Sequence, residues 1–157
     1  ALVLEHGGDE ETAAAALLHD AVEDQGGLPT LERIRVAFGE RVAALVRACS
    51  DSWTTPKPPW RKRKEGYLRE LASAPPAARL ISASDKLHNA RTLLSDYRRR
   101  GEALWGLFKG GREGTLWYYR ALIAEYLARG PAELAEELRR VVEELERLVS
   151  GKGDLPN

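Results

Sequence analysis

The chain of 157 residues has no methionine and a single cysteine, and its charges leave no net excess of either sign: 24 lysines and arginines face 24 aspartates and glutamates. With Cys49 alone, no intramolecular disulfide can form, and a reducing, cytoplasmic location is the expectation. Balanced charge removes any global pull toward nucleic acid or an anionic membrane, so attraction for anions has to be local. No apolar run approaches the length of a membrane span, and no signal peptide is visible. The lack of methionine means that Ala1 need not be a translation start.

What is present is an ordinary globular composition, 43% apolar, enough for one sizeable core. Residues 1–150 read as a single domain and residues 151–157 as a tail. Ala1 to His6, stopped by Gly7-Gly8, reads as the last turn of a helix whose start lies outside the sequence. Asp9 can cap a helix over Thr12 to Asp24, ended by Gln25-Gly26-Gly27. Helical spacing then runs from Pro29 to Phe38 and on past Gly39 to about Ser50. Asp51 to Pro59 is a loop with three prolines, followed by a helix from Trp60 to about Ser73. Pro75-Pro76 breaks the chain before a long helix from Ala78 to Arg98. Gly101 to Gly114 reads as a glycine-rich connection with one helical turn, and Thr115–Arg129 and Pro131–Val149 as two further helices. No strand pair and no repeat is visible, so the expected fold is all-α with seven or eight helices.

Two segments carry candidate chemistry. His19-Asp20 and Glu23-Asp24 lie on a helix with Leu17, Leu18 and Val22, which is read as a buried segment. Ionisable groups there are costly unless something neutralises them. A divalent cation accepting an imidazole nitrogen and a carboxylate would do so. The bland alternative, a solvated helix end, fits poorly, because acids near a helix C-terminus oppose its dipole. The second segment is Ser84 to Thr92, where Asp85 and Asn89 stand one turn apart on an otherwise apolar helix. A helix crossing the first could bring Asp85 to the same cation; ordinary surface polarity is the alternative.

Leu17-Leu18-His19-Asp20-Ala21-Val22-Glu23-Asp24 resembles the LLHDxxED signature of the alarmone-hydrolysing branch of the HD superfamily of metal-dependent phosphohydrolases. That branch comprises the hydrolase domain of the RelA/SpoT family and its small stand-alone relatives. Phe38 to Val46 is similar to its FGxxVAxLV segment, and Ser84 to Leu93 to its DrLHNxRTL segment. The resemblance covers roughly residues 1–97. It implies an all-helical HD fold, with His19, Asp20 and Asp85 as metal ligands. It implies Glu23 and Asp24 as the acidic pair that activates water, and Asn89, with Arg91 and Thr92 nearby, as lining of a nucleoside pocket. The implied metal is manganese, though iron, cobalt or zinc would suit the same donors. The reaction implied is removal of the 3′-pyrophosphate from guanosine tetra- or pentaphosphate. The family's first histidine ligand would fall before Ala1; His6 stands too close to the His-Asp pair to replace it.

Lys57-Pro58-Pro59-Trp60-Arg61-Lys62-Arg63-Lys64, with Tyr67 one turn on, concentrates five basic residues. Arg61, Arg63 and Lys64 could hold substrate phosphates, with Trp60 or Tyr67 available for stacking. A solvated basic face and a weak nucleic-acid patch are the alternatives, the latter disfavoured by the neutral net charge. Trp117-Tyr118-Tyr119 reads as core packing and His88 as structural. The stripe of Leu134, Leu138, Val141, Leu145 and Leu148 reads as intramolecular packing, a homodimer seam being its other use. The rival functions are an HD phosphohydrolase of another nucleotide, such as an NADPH phosphatase, and a nucleotide-binding sensor without catalysis.

Overall fold

A computed structural model of the chain describes residues 1–24, 26–50 and 56–151. The side chains of Glu23 and Asp24 lie outside the described residues, as do residues 51–55 of the expected loop and residues 152–157 of the expected tail. Among the described residues there are eight α-helices, one 3-10 segment and no strand.

The helix boundaries follow local chemistry. After a single turn, α1 (Leu2–Glu5), the Asp9 carboxylate caps α2 (Glu10–Asp24): the Thr12 amide and hydroxyl donate to Asp9 Oδ1 at 2.9 and 2.6 Å. These bonds and the Arg41 guanidinium hold the Asp9 carboxyl down at about 2. α3 (Leu28–Phe38) and α4 (Glu40–Ala48) share Gly39 as their joint, at a φ of 91° that a side chain would strain. α5 (Trp60–Ser73) leads through extended Pro75 into α6 (Pro76–Arg100), which therefore starts two residues before Ala78, with Pro76 as its first residue. The last turn of α6 carries Arg98, Arg99 and Arg100, which suit the negative end of its dipole.

The Gly101–Gly114 stretch is more helical than the expected connection with its one helical turn. Gly101–Leu107 is a 3-10 segment, and α7 (Gly111–Arg129) begins four residues before Thr115. α8 (Ala132–Val149) closes the chain.

Two apolar cores result, and α6 belongs to both. The first joins Val3, Val22, Ile34, Val42, Leu45 and Val46 to Ala78 and Ile81 of α6. The second joins Ala83, Leu87, Ala90 and Leu93 of α6 to Tyr67 of α5, Leu122 and Tyr126 of α7, and Leu134, Leu138 and Leu145 of α8. The α8 stripe is thus used inside the molecule. Each fully buried leucine contributes about 1.5–3 kcal/mol. Within the second core the hydroxyls of Tyr67 and Tyr126 each lie 2.6 Å from that of Ser82, so three buried polar groups satisfy one another.

Candidate active site

α2 and α6 cross where the first core gives way to the second, and three ionisable side chains meet there. His19 Nε2 lies 3.1 Å from Asp20 Oδ1 and 3.5 Å from Asp85 Oδ1. One ligand atom from each of the three residues can be chosen so that all lie within 4.8 Å of one another. The His19 and Asp85 side chains are only 12% and 18% exposed, whereas Asp20 is 70% exposed at the mouth. Leu17, expected to be buried beside them, is 86% exposed; Val22 carries the inward face of α2.

This donor set fits a divalent cation. His19 Nδ1 lies 2.7 Å from the Ala16 carbonyl and can only donate to it, so Nε2 carries the lone pair of the neutral ring. That lone pair points at two carboxylate oxygens, an arrangement of acceptors against acceptors that requires a proton or a metal ion between them. Burial pulls the His19 pKa down, but the Asp85 hydrogen bond, the Ala16 carbonyl and the charges of Asp85 and Asp20 outweigh it, and the net shift is upward. Burial likewise pushes the Asp85 carboxyl up, yet the His19 hydrogen bond and the charge of Lys86 hold it well below the usual range. Three protein ligands would leave an ion room to bind water or substrate. His6 takes no part: its Nδ1 bonds the Leu2 carbonyl at 2.9 Å, and its Nε2 lies 4.0 Å from Glu133.

Asp85 divides its two oxygens. Oδ1 faces His19, while Oδ2 accepts from Lys86 Nζ at 2.9 Å and from Asn89 Nδ2 at 3.2 Å. Lys86 and Asn89 also line a cleft of about 350 Å³ between α5, α6 and the start of α7. Lys64, Thr92 and Lys109 bring further polar groups to it, and Trp60 and Tyr118 supply aromatic walls. His19 and Asp85 themselves line a second cavity of about 350 Å³, otherwise mostly apolar, with Leu17 and Ile81 in its lining and the exposed His88 beside them.

The expected anion-binding residues divide accordingly. Lys64, Asn89 and Thr92 line the cleft. Arg61, Arg63 and Arg91 are absent from its lining. Arg61 stacks 3.2 Å from the centroid of the Trp117 ring and pairs with Glu65 at 2.8 Å; Arg63 donates to the Pro58 carbonyl at 3.2 Å; Arg91 pairs with Glu137 of α8 at 2.7 Å. Tyr67 is no stacking platform: it is 4% exposed, and burial pushes its phenol up to about 12. Lys86 and Lys109 are the cationic members that sequence reasoning missed. Burial works against the charge on Lys86, but the oxygens of Tyr118, Tyr67 and Asp85 around it raise its pKa well above the ordinary lysine value.

An all-helical fold that brings a His-Asp pair on one helix and an aspartate on another within reach of one ion defines a helical metal-centre class. The profile described as HD domain matches residues 1–116, and the chain belongs to the HD domain family. It is 39% identical over 79 residues to the Mus musculus protein named guanosine-3′,5′-bis(diphosphate) 3′-pyrophosphohydrolase MESH1; the match takes in 50% of this chain and 41% of that one. An Aquifex aeolicus guanosine-3′,5′-bis(diphosphate) 3′-pyrophosphohydrolase is 39% identical over 92 residues, 57% of this chain and 12% of that one. The chain thus spans less than half the length of either relative. Among solved structures, lmo0812 of Listeria monocytogenes EGD-e superposes with a TM-score of 0.79 at 28% identity, covering 92% of this chain and 93% of that one. Among the described residues, no helix is long and apolar enough to cross a membrane.

Proposed function

We propose that this chain is a metal-dependent phosphohydrolase that removes the 3′-pyrophosphate of guanosine tetra- or pentaphosphate in the cytoplasm. The observation that carries the proposal is the divided carboxylate of Asp85. One oxygen serves the ion site with His19, and the other is held by Lys86 and Asn89, which also line the lysine-bearing cleft. Lys86 and Asn89 thus link a phosphate held in that cleft to the ion site through Asp85. The names of the curated relatives point to the same reaction.

His19, Asp20 and Asp85 would hold the ion, manganese being the proposed metal; iron, cobalt and zinc suit the same donors. When bound, such an ion supplies Lewis acidity toward a phosphoryl oxygen and lowers the pKa of a water. Lys64, Lys86 and Lys109 neutralise phosphate charge, and Asn89 and Thr92 offer hydrogen bonds to the nucleoside. Glu23 and Asp24, one turn after His19 and Asp20 in the matched motif, orient the attacking water and take its proton.

The test is pyrophosphate and phosphate release with added manganese over a panel of guanosine tetraphosphate, NADPH and simple nucleoside phosphates. Pyrophosphate release from the tetraphosphate alone is the expected result. Release from another member moves the substrate assignment, and silence across the panel removes the enzymatic proposal.

A further inference from the structure

Two glycines that pack against a wall of the cleft have no positive φ that would demand glycine. Gly110 has an ordinary φ of −80°, and Gly114 lies inside α7 without a positive φ. Gly111 between them does need its freedom, at a φ of 58°, and has open space around it. At Gly114, inside α7, glycine costs about 0.5–1 kcal/mol relative to alanine. What the two positions share is Trp60. A Cβ at Gly110 would stand 2.6 Å from Cζ2 and Cη2 of its ring, and one at Gly114 would stand 3.1 Å from Cζ3.

The ring is held from other directions as well. Trp117 and Tyr118 meet it edge-on, with centroids 6.3 and 6.4 Å away and interplanar angles of 66° and 72°. Trp60 is nevertheless only half-buried and lines the cleft, whereas Trp105 is 6% exposed in the core. Lys64, one helical turn along α5, places its ammonium 4.9 Å from the Tyr118 ring, inside the same cleft. An indole immobilised on a glycine seat beside several ammonium groups pairs a stacking surface with phosphate-binding charge. That combination suits a ligand with a planar heteroaromatic ring and an anionic tail.

We propose that Trp60 is a specificity-determining residue that stacks the base of a nucleotide in the cleft, and that Gly110 and Gly114 are the seat that positions it. The inference rests on the cleft being the nucleotide site of the proposed function, but not on the reaction performed there. It makes the protein a reader of the base as well as of the phosphates.

The experiment is equilibrium binding by calorimetry and intrinsic fluorescence, with manganese present, using guanosine 5′-diphosphate and inorganic pyrophosphate as probes. The diphosphate should quench fluorescence in the wild type, and Trp60→Leu should remove that component. The same variant should weaken the diphosphate about tenfold, within the range of stacking on an aromatic side chain, and pyrophosphate by less than about twofold. Trp60→Phe should recover most of the affinity. Gly110→Ala, which displaces the ring while keeping it, should weaken the diphosphate selectively. Equal affinity for the diphosphate in wild type and Trp60→Leu overturns the proposal, as does equal weakening of both probes. Binding of neither probe to protein whose helicity is intact also overturns it. Selective base binding without alarmone hydrolysis would sink the proposed reaction and leave the role of Trp60 standing.

Discussion

Lys86 Nζ stands 2.9 Å from Asp85 Oδ2, so the cation of the cleft and a carboxylate of the ion site form one ion pair. Both side chains are 18% exposed. Removing one partner leaves the other poorly solvated and unpaired, at a cost of about 3 kcal/mol. Asp85→Ala should therefore lower the melting temperature as well as abolish manganese binding and turnover. Calorimetric titration with manganese and a thermal melt on the same sample check this. Retention of stoichiometric, tight manganese binding would remove Asp85 from the ion site.

Glu23→Gln separates the acidic pair from the ligands. Manganese binding should persist, while kcat falls at least about a hundredfold, the lower end of what a general base contributes. Metal content and single-turnover rate measured together decide it, and normal turnover would end the assigned role.

The cleft lysines should act on substrate affinity. Lys109→Ala should raise KM for the alarmone more than it lowers kcat, because Lys109 lines the cleft away from the ligand cluster. Lys62→Ala, on the exposed side of α5, is the control and should change KM by less than about twofold, as expected of a solvated surface charge. Equal KM in wild type and Lys109→Ala would separate the cleft from phosphate binding.

Ser82 partners two buried phenols at once. Ser82→Ala strands the hydroxyls of Tyr67 and Tyr126 and should cost about 1–3 kcal/mol for each one left unsatisfied. Urea unfolding measures the loss; a change below about 0.5 kcal/mol would mean that the two phenols find each other or water.

Stability should fall on the alkaline side. Burial raises the phenols of Tyr67 and Tyr119 from 10.0 to about 12, so the folded state disfavours tyrosinate. Below pH 10 both states are protonated and the contribution is intact. As the pH climbs from 10 to 12 the unfolded chain ionises first and the contribution drains away. Urea midpoints at pH 9 and 11, with tyrosinate absorbance followed in parallel, should show a steep drop and late titration of part of the tyrosine population. A flat midpoint would contradict the burial of these rings.

The fold was legible wherever local pattern and tertiary use agree. Apolar spacing and caps announce α2, α5, α6, α7 and α8, since the same leucines and valines that repeat at helical intervals fill the cores. Gly114 misled because its composition signals a connection, whereas it lies in α7 and makes room for Trp60, a need invisible without α5 alongside. In the site, His19, Asp20 and Asp85 stood out as charges on apolar helices, and the fold brings one ligand atom of each within 4.8 Å of the others. The anion-binding side chains did not sort by proximity in sequence. Arg91 finds Glu137, 46 residues away, and Arg61 finds Trp117, while Lys86 and Lys109 come to the cleft from segments with no basic run. Tyr67 follows the basic run in sequence but lies on the inward side of α5.

The seam between the two cores gives binding and chemistry different anchors. The lining of the cleft comes from α5, α6, α7 and the turn before α7, all tied to the second core, whereas an ion held by His19, Asp20 and Asp85 would also depend on α2, which packs in the first. The two capacities are mechanically separable. Under the proposed function, loosening α2 through α4 would leave a protein that still captures its nucleotide yet does not cut it, so damage to the first core would make it a reservoir for its own ligand.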